Sequence, residues 1–253
     1  MSEQPVLTRV EGRIGHLVFN RPKQLNAFSA QLVAETGPAL QRLVEDPQVL
    51  AIVVSGEGRA FSAGFDLKEA ATAKRETLED WQRLLDEDFQ FIVQFWDCPK
   101  PTVAAVQGYC LAAAFEVMLA CDMTVAAESA FFGEPEVRFG SGIVCMLLPW
   151  MTTPKLAKEL LLTGADRITA GRMEAMGLVN RVVPEGQHLQ AAVAMATEVA
   201  SAAAHSVALT KRAINRTFEV MGLRAALNEA NPVFKGKDLL EMMIVNSPAL
   251  LAS

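Results

Sequence analysis

The sequence predicts an α/β fold that ends in helices alone. Residues 50–55, LAIVVS, form a near-continuous apolar run of the kind buried on both faces of a parallel sheet. Strand-like and helix-like stretches alternate up to about residue 183, which favours parallel pairing through crossover helices. From Leu189 onward every stretch has helical spacing. A core over residues 1–190 and a helical C-terminal region over 191–253 are therefore expected.

The 253 residues are 51% hydrophobic, ample material for one large core. A net charge of −6 argues against a general nucleic-acid binder, which carries a basic face. The four cysteines, Cys98, Cys110, Cys121 and Cys145, include no CxxC pair. Buried thiols in a reducing compartment are expected rather than disulfides. His16, His188 and His205 are scattered without ligand spacing, so no metal site is expected. The first residues, MSEQPVLTRVEG, hold no apolar signal stretch, and no run reaches bilayer-spanning length. A cytoplasmic protein with no membrane partner is expected.

In chain order, residues 6–11 and 14–20 read as two strands of a hairpin turning at Gly12 and Arg13. Ser29 suits the cap of a helix reaching about Val44, with Leu32, Val33, Leu40 and Leu43 on its apolar face. Asp46-Pro47 stops it. After the 50–55 strand, GEGRAFSAGFDL (56–67) is broken by Gly56, Gly58 and Gly64, with a short strand expected over 61–63. It lacks the GK[ST] or GxGxxG of a phosphate loop. It reads as a turn that can present backbone N–H groups to an anion, with Asp66 capping the next helix. Residues 76–95 form a long helix whose Trp81, Leu85, Phe89 and Ile92 make a core face.

The stretch KPTVAAVQGYCLAAAFEVMLACD (100–122) combines a strand over 102–106, a turn at Gly108 and an apolar helix over 111–120. Only Glu116 interrupts that helix. An anion is costly to bury, so Glu116 is either paired for structure or an acid/base group. A strand over 123–127 follows, then Glu134 and Glu136 flanking Pro135, with solvated surface expected for Glu134. Helices over 154–162 and 169–176 stop at Gly164 and Gly177. A strand over 178–183 and helices over 187–203, 206–217 and 222–246 complete the chain.

Six stretches in this order resemble the enoyl-CoA hydratase/isomerase (crotonase) superfamily. They are NRPKQLNAFS (20–29), GRAFSAGFDLKE (58–69), KPTVAAVQGYCLAAAFEVMLACDM (100–123), FFGEPEVRFG (131–140), LLLTGADRITAGRMEAMGLVNRVV (160–183) and FKGKDLLEMM (234–243). The resemblance implies a crotonase-type spiral of ββα units with a helical C-terminal trimerisation region. It implies an acyl-CoA thioester as substrate, with no further cofactor. Two backbone N–H groups are implied to stabilise a thioester enolate, by motif position those of Phe65 and Ala113. Glu116 and Glu136, 20 residues apart, are implied to share acid/base work. One carboxyl takes a proton from water while the other protonates the α-carbon. Substrate contacts carry over to Lys23, Leu25, Phe61, Ala63, Gly64, Leu67 and Tyr109, and Lys68 and Lys237 are further phosphate candidates. The implied reaction is hydration of an α,β-unsaturated acyl-CoA to a 3-hydroxyacyl-CoA. Isomerisation, other lyase or hydrolase chemistry of the fold, and an acyl-CoA-binding paralogue of little activity stay open. The implied assembly is a homotrimer or a dimer of trimers.

Three departures bear on the site. Ala112-Ala113-Ala114 stands where the superfamily has glycines, and SGIVCMLLPWM (141–151) replaces a glycine-rich segment. Asn246-Ser247-Pro248 stands where basic residues are usual. A position there that requires φ > 0 crowds an alanine methyl, and the bulkier segment reshapes the acyl pocket.

Overall fold

A computed structural model describes residues 4–72 and 77–234. Strands β1 (Val6–Glu11) and β2 (Ile14–Phe19) form the predicted antiparallel hairpin, with Gly12 at φ 59° in its turn. A 3₁₀ turn over Pro22–Gln24 leads into α1 (Ala30–Glu45), where the Ser29 hydroxyl accepts the Leu32 N–H at 3.2 Å. Then come β3 (Ala51–Gly56), the short α2 (Leu67–Thr72) and α3 (Leu78–Trp96). Thr77 and Asp80 cap α3 reciprocally. The central stretch gives β4 (Thr102–Val106), β5 (Tyr109–Leu111), α4 (Ala113–Ala120) and β6 (Met123–Ala127). It is followed by β7 (Phe131–Gly133), a 3₁₀ turn over Glu136–Phe139, α5 (Leu148–Met151) and α6 (Pro154–Thr163). The described chain ends with β8 (Ile168–Thr169), α7 (Ala170–Ala175), β9 (Arg181–Val183), α8 (His188–Ser201), α9 (Ala204–Val220) and α10 (Leu223–Phe234).

Two sheets result. The larger has the order β1-β2-β3-β4-β6-β9 and is parallel from β2 onward. The smaller has the order β5-β7-β8, with β8 antiparallel. Side-chain alternation along each strand feeds two cores. Ile52, Val54, Ala104 and Val106 join the main core with α1, α3 and α4. Ala51, Val53, Val103 and Ala105 face α8, whose Ala192, Met195, Ala196 and Ala200 cover the other side. That double burial is why residues 50–55 show no polar alternation.

Two expectations are corrected. Residues 61–63 form no strand, only a single bridge between Ser62 and Cys110. The helix predicted from residue 111 begins at Ala113, because residues 109–111 pair with β7 and that non-local ladder overrides the apolar run. The helix expected over 222–246 is seen to Phe234; its remainder lies outside the described residues. No single described helix is long and apolar enough to cross a membrane.

Candidate active site

The site is built from two turns pressed together. The first follows β3 and is tied to residues 21–28. Asn26 Nδ2 donates to the carbonyls of Glu57 and Ala60, both at 2.8 Å. The Ala63 N–H reaches Leu25 O at 3.0 Å, and the Phe28 N–H reaches Gly64 O at 2.8 Å. Asp66 accepts the N–H groups of Lys68 and Glu69 and so caps α2 as predicted. Burial works against its charge, but Arg21, at 2.9 Å, and those amides hold its carboxyl below the usual range. The second turn joins β5 to α4. Ala112 sits at φ 56°, ψ −135°, backbone that favours glycine, and its N–H donates to Gly133 O at 2.8 Å.

The turns meet at Gly64, φ 87°. A Cβ there would lie 2.7 Å from the Ala112 methyl and 2.9 Å from Leu111 O, so only glycine permits this approach. Across the contact lie two amides. Ala113 is the first residue of α4 and its N–H has no acceptor within the helix. The Phe65 N–H takes no part in the bridge that Phe65 forms with Phe28. Neither amide donates to another described group. Two free donors at a helix N-terminus can hold a negatively charged oxygen.

Three carboxyls gather at α4 and the 3₁₀ turn facing it. Glu116, 2% exposed, accepts the Cys145 N–H on Oε1 at 2.7 Å. Burial, then the charges of Glu136 and Asp88, push its carboxyl well above the usual range, and the Cys145 amide opposes them. Glu136 opens the 3₁₀ turn, with an enclosed Oε2 that accepts from no N–H or hydroxyl donor. Burial raises it too, less strongly, since its own N–H and Glu134 favour the ion. Glu134, expected at the solvated surface, is instead 1% exposed. Its N–H is bound to Ala165 O at 3.0 Å, in line with the β7–β8 pairing that buries Phe132 two residues earlier. Burial, Glu136 and Glu116 raise its carboxyl well above the usual range. Among the described residues no lysine, arginine or histidine enters the charge balance of these three. Arg138, on the same 3₁₀ turn as Glu136, is bound to Asp166 at 2.9 Å instead.

The other predicted site residues divide. Leu25, Ala63, Gly64 and Phe65 come together in the first turn. Tyr109 is half-buried against Phe131 on the neighbouring strand. Lys23, Leu67 and Lys68 are exposed at the rim. The Phe61 side chain is enclosed in the core against Phe19, leaving only its backbone near the turn. Lys237 lies outside the described residues. Sequence reasoning placed Glu134 at the surface and passed over Asp88 and the Cys145 amide. The alternation Phe132, Glu134 is the signal that places Glu134 on the inward face; nothing local points to Cys145. Beside Phe65 opens a cleft of about 590 Å³ lined on one side by Phe28, Val33, Leu84 and Phe91 and also by Asp66, Glu69, Glu87 and buried Asp88.

These features match known proteins along most of the chain. Residues 9–237 match the profile of the Enoyl-CoA hydratase/isomerase family. A probable mitochondrial enoyl-CoA hydratase of Dictyostelium discoideum is 37% identical over 220 residues, 84% of this chain and 76% of its own length. A probable enoyl-CoA hydratase of Mycobacterium bovis is 35% identical over 228 residues, 87% of this chain and 84% of its own. The crystal structure of an enoyl-CoA hydratase/isomerase from Xanthobacter autotrophicus Py2 superposes with a TM-score of 0.91 at 40% identity, covering 98% of this chain and 96% of that one. With that profile, those relatives and that shared fold, the chain belongs to the enoyl-CoA hydratase/isomerase family.

Proposed function

We propose that this protein hydrates an α,β-unsaturated acyl-CoA thioester to a 3-hydroxyacyl-CoA. The observation that carries the reading is the meeting of Glu116 and Glu136 in one enclosed cluster at the far end of the turn that frees the Phe65 and Ala113 amides. The thioester carbonyl oxygen accepts both amides. As water adds at the β-carbon, charge moves onto that oxygen, and fixed donors stabilise it most when it is fullest. A water between the two carboxyls gives its proton to the one that is ionised. The other, still protonated, delivers a proton to the α-carbon and collapses the enolate. This division needs one neutral and one charged carboxyl, and mutual repulsion in an enclosed site favours that state. The aromatic and aliphatic side of the cleft beside Phe65 suits the acyl chain, and exposed Lys23 and Lys68 suit CoA phosphates.

The test follows enoyl absorbance and product mass over a panel of enoyl-CoAs. Loss of absorbance with a product heavier by one water is expected. A product of unchanged mass would replace hydration by double-bond isomerisation. Glu116→Gln and Glu136→Gln are each expected to lower kcat by at least about 100-fold. Undiminished turnover of Glu136→Gln would sink its role.

A further inference from the structure

Beside the two carboxyls that the proposed reaction uses lies a third that it does not. Glu134 is 1% exposed and its Oε2 accepts from no N–H or hydroxyl donor. Its backbone has little freedom. Gly133 before it admits no side chain, because a Cβ there would lie 2.0 Å from Ala165 O. Its own N–H is held by that carbonyl at 3.0 Å, and Pro135 follows. The carboxyl is thereby held next to that of Glu136 across Pro135, and an enclosed oxygen on each, Oε2, has no N–H or hydroxyl donor. Two such carboxyls can share a hydrogen bond only if one keeps its proton. The groups facing Glu134 are Glu136 on the 3₁₀ turn, Glu116 on α4, Cys110 on β5 and Cys145 before α5, all acids or thiols. With acids and thiols alone around it, a retained proton is the means by which this cluster lowers its charge.

We propose that Glu134 is a positioning residue that stays protonated and donates a hydrogen bond to Glu136, holding that carboxylate in place opposite Glu116. Burial decides the direction: Glu134 is fully enclosed, whereas Glu136 is only partly so, and the neutral acid belongs at the more enclosed position. The donated bond has two effects. It fixes the rotamer of Glu136, and it favours the charged form of Glu136. The inference rests on the reading of Glu136 as an acid/base group.

Two variants of the full chain and two readouts test it. Glutamine at 134 keeps a neutral N–H donor, whereas leucine keeps volume without one. Glu134→Gln is expected to stay within about three-fold of wild-type kcat. Glu134→Leu is expected to lose about ten-fold or more, with its thermal midpoint monitored, the loss of one hydrogen bond to a charged group. The limb of the kcat–pH profile that reports Glu136 is expected to move about one unit upward in the leucine variant and not in the glutamine variant. A packing role predicts the reverse order of activities and no movement of the limb. The second readout needs no turnover: the infrared C=O stretch of a protonated carboxyl in the resting protein at neutral pH. That band is expected to lose intensity in Glu134→Gln and to shift in Glu136→Gln. An unchanged band in Glu134→Gln, or a leucine variant with wild-type kcat and pH profile, overturns the proposal. If no enoyl-CoA is turned over, the hydratase reading fails by itself, and the infrared result still decides whether Glu134 carries the proton.

Discussion

At residue scale, Ala112 stands out as an alanine holding a glycine conformation. Its φ of 56° with ψ −135° stores strain of about 1–3 kcal/mol, offset only in part by the lower chain entropy of alanine when unfolded. Ala112→Gly should therefore raise stability by about 1 kcal/mol, read as a higher urea midpoint. The sequence showed the alanines; it did not show which of the three needed positive φ, since that is set by the contact with Gly64. His16 is the other residue with a distinct signature. It is fully enclosed on β2 with neither ring nitrogen hydrogen-bonded. Burial pushes its imidazole below its ordinary value of 6.5, Arg9 adds to the effect, and Glu11 at 3.6 Å opposes it. A base with a depressed folded pKa takes up more protons when unfolded, so its stabilisation is present above about pH 6.5 and is lost as pH falls below it. His188, lowered mainly by burial, acts in the same direction. Urea midpoints at pH 7.5 and pH 5.5, taken as about one unit either side of that value, should differ more in wild type than in His16→Leu.

At the scale of elements, one polar tie joins α9 to the residues after α4. Lys211 Nζ on α9 donates to Asp122 Oδ2 at 2.6 Å and to Lys100 O at 3.1 Å. Asp122 also accepts the Thr102 N–H at 2.7 Å. Lys211→Met leaves a half-buried carboxylate without its cation and should cost about 2 kcal/mol, between the exposed and the buried limits, measured by chemical denaturation. Elements specified by their own residues were legible in the sequence. The β1–β2 turn, the Ser29 cap, the run over 50–55 and the α8–α9 break all follow from local chemistry. Elements specified by distant partners were not. β5 is three residues that exist as a strand only because β7 lies alongside, and the same small sheet hides Glu134. Glu116 and Glu136 could be paired from the motifs, but the Cys145 amide that holds Glu116 comes from a loop with no local signature.

At the scale of the whole molecule, α8 seals one face of the large sheet while α9 turns apolar side chains outward. Ile214, Val220 and Met221 are each more than half exposed. An association of chains that covers them is expected, and light scattering should give about three or six times the 27.4 kDa chain mass. A monomeric mass at micromolar concentration would count against it, and Ile214→Glu should shift the population toward smaller species. The bond from the Cys145 amide to Glu116 has a different consequence, one for how such a protein can change over time. The partner of this carboxyl is a backbone group, which every residue except proline supplies. Ile143, Cys145 and Leu147 are buried, but the half-buried positions 141, 142, 144 and 146 can diverge while the acid keeps its partner. A library randomised over those four positions should keep turnover far more often than Cys145→Pro, which removes the amide that Glu116 accepts.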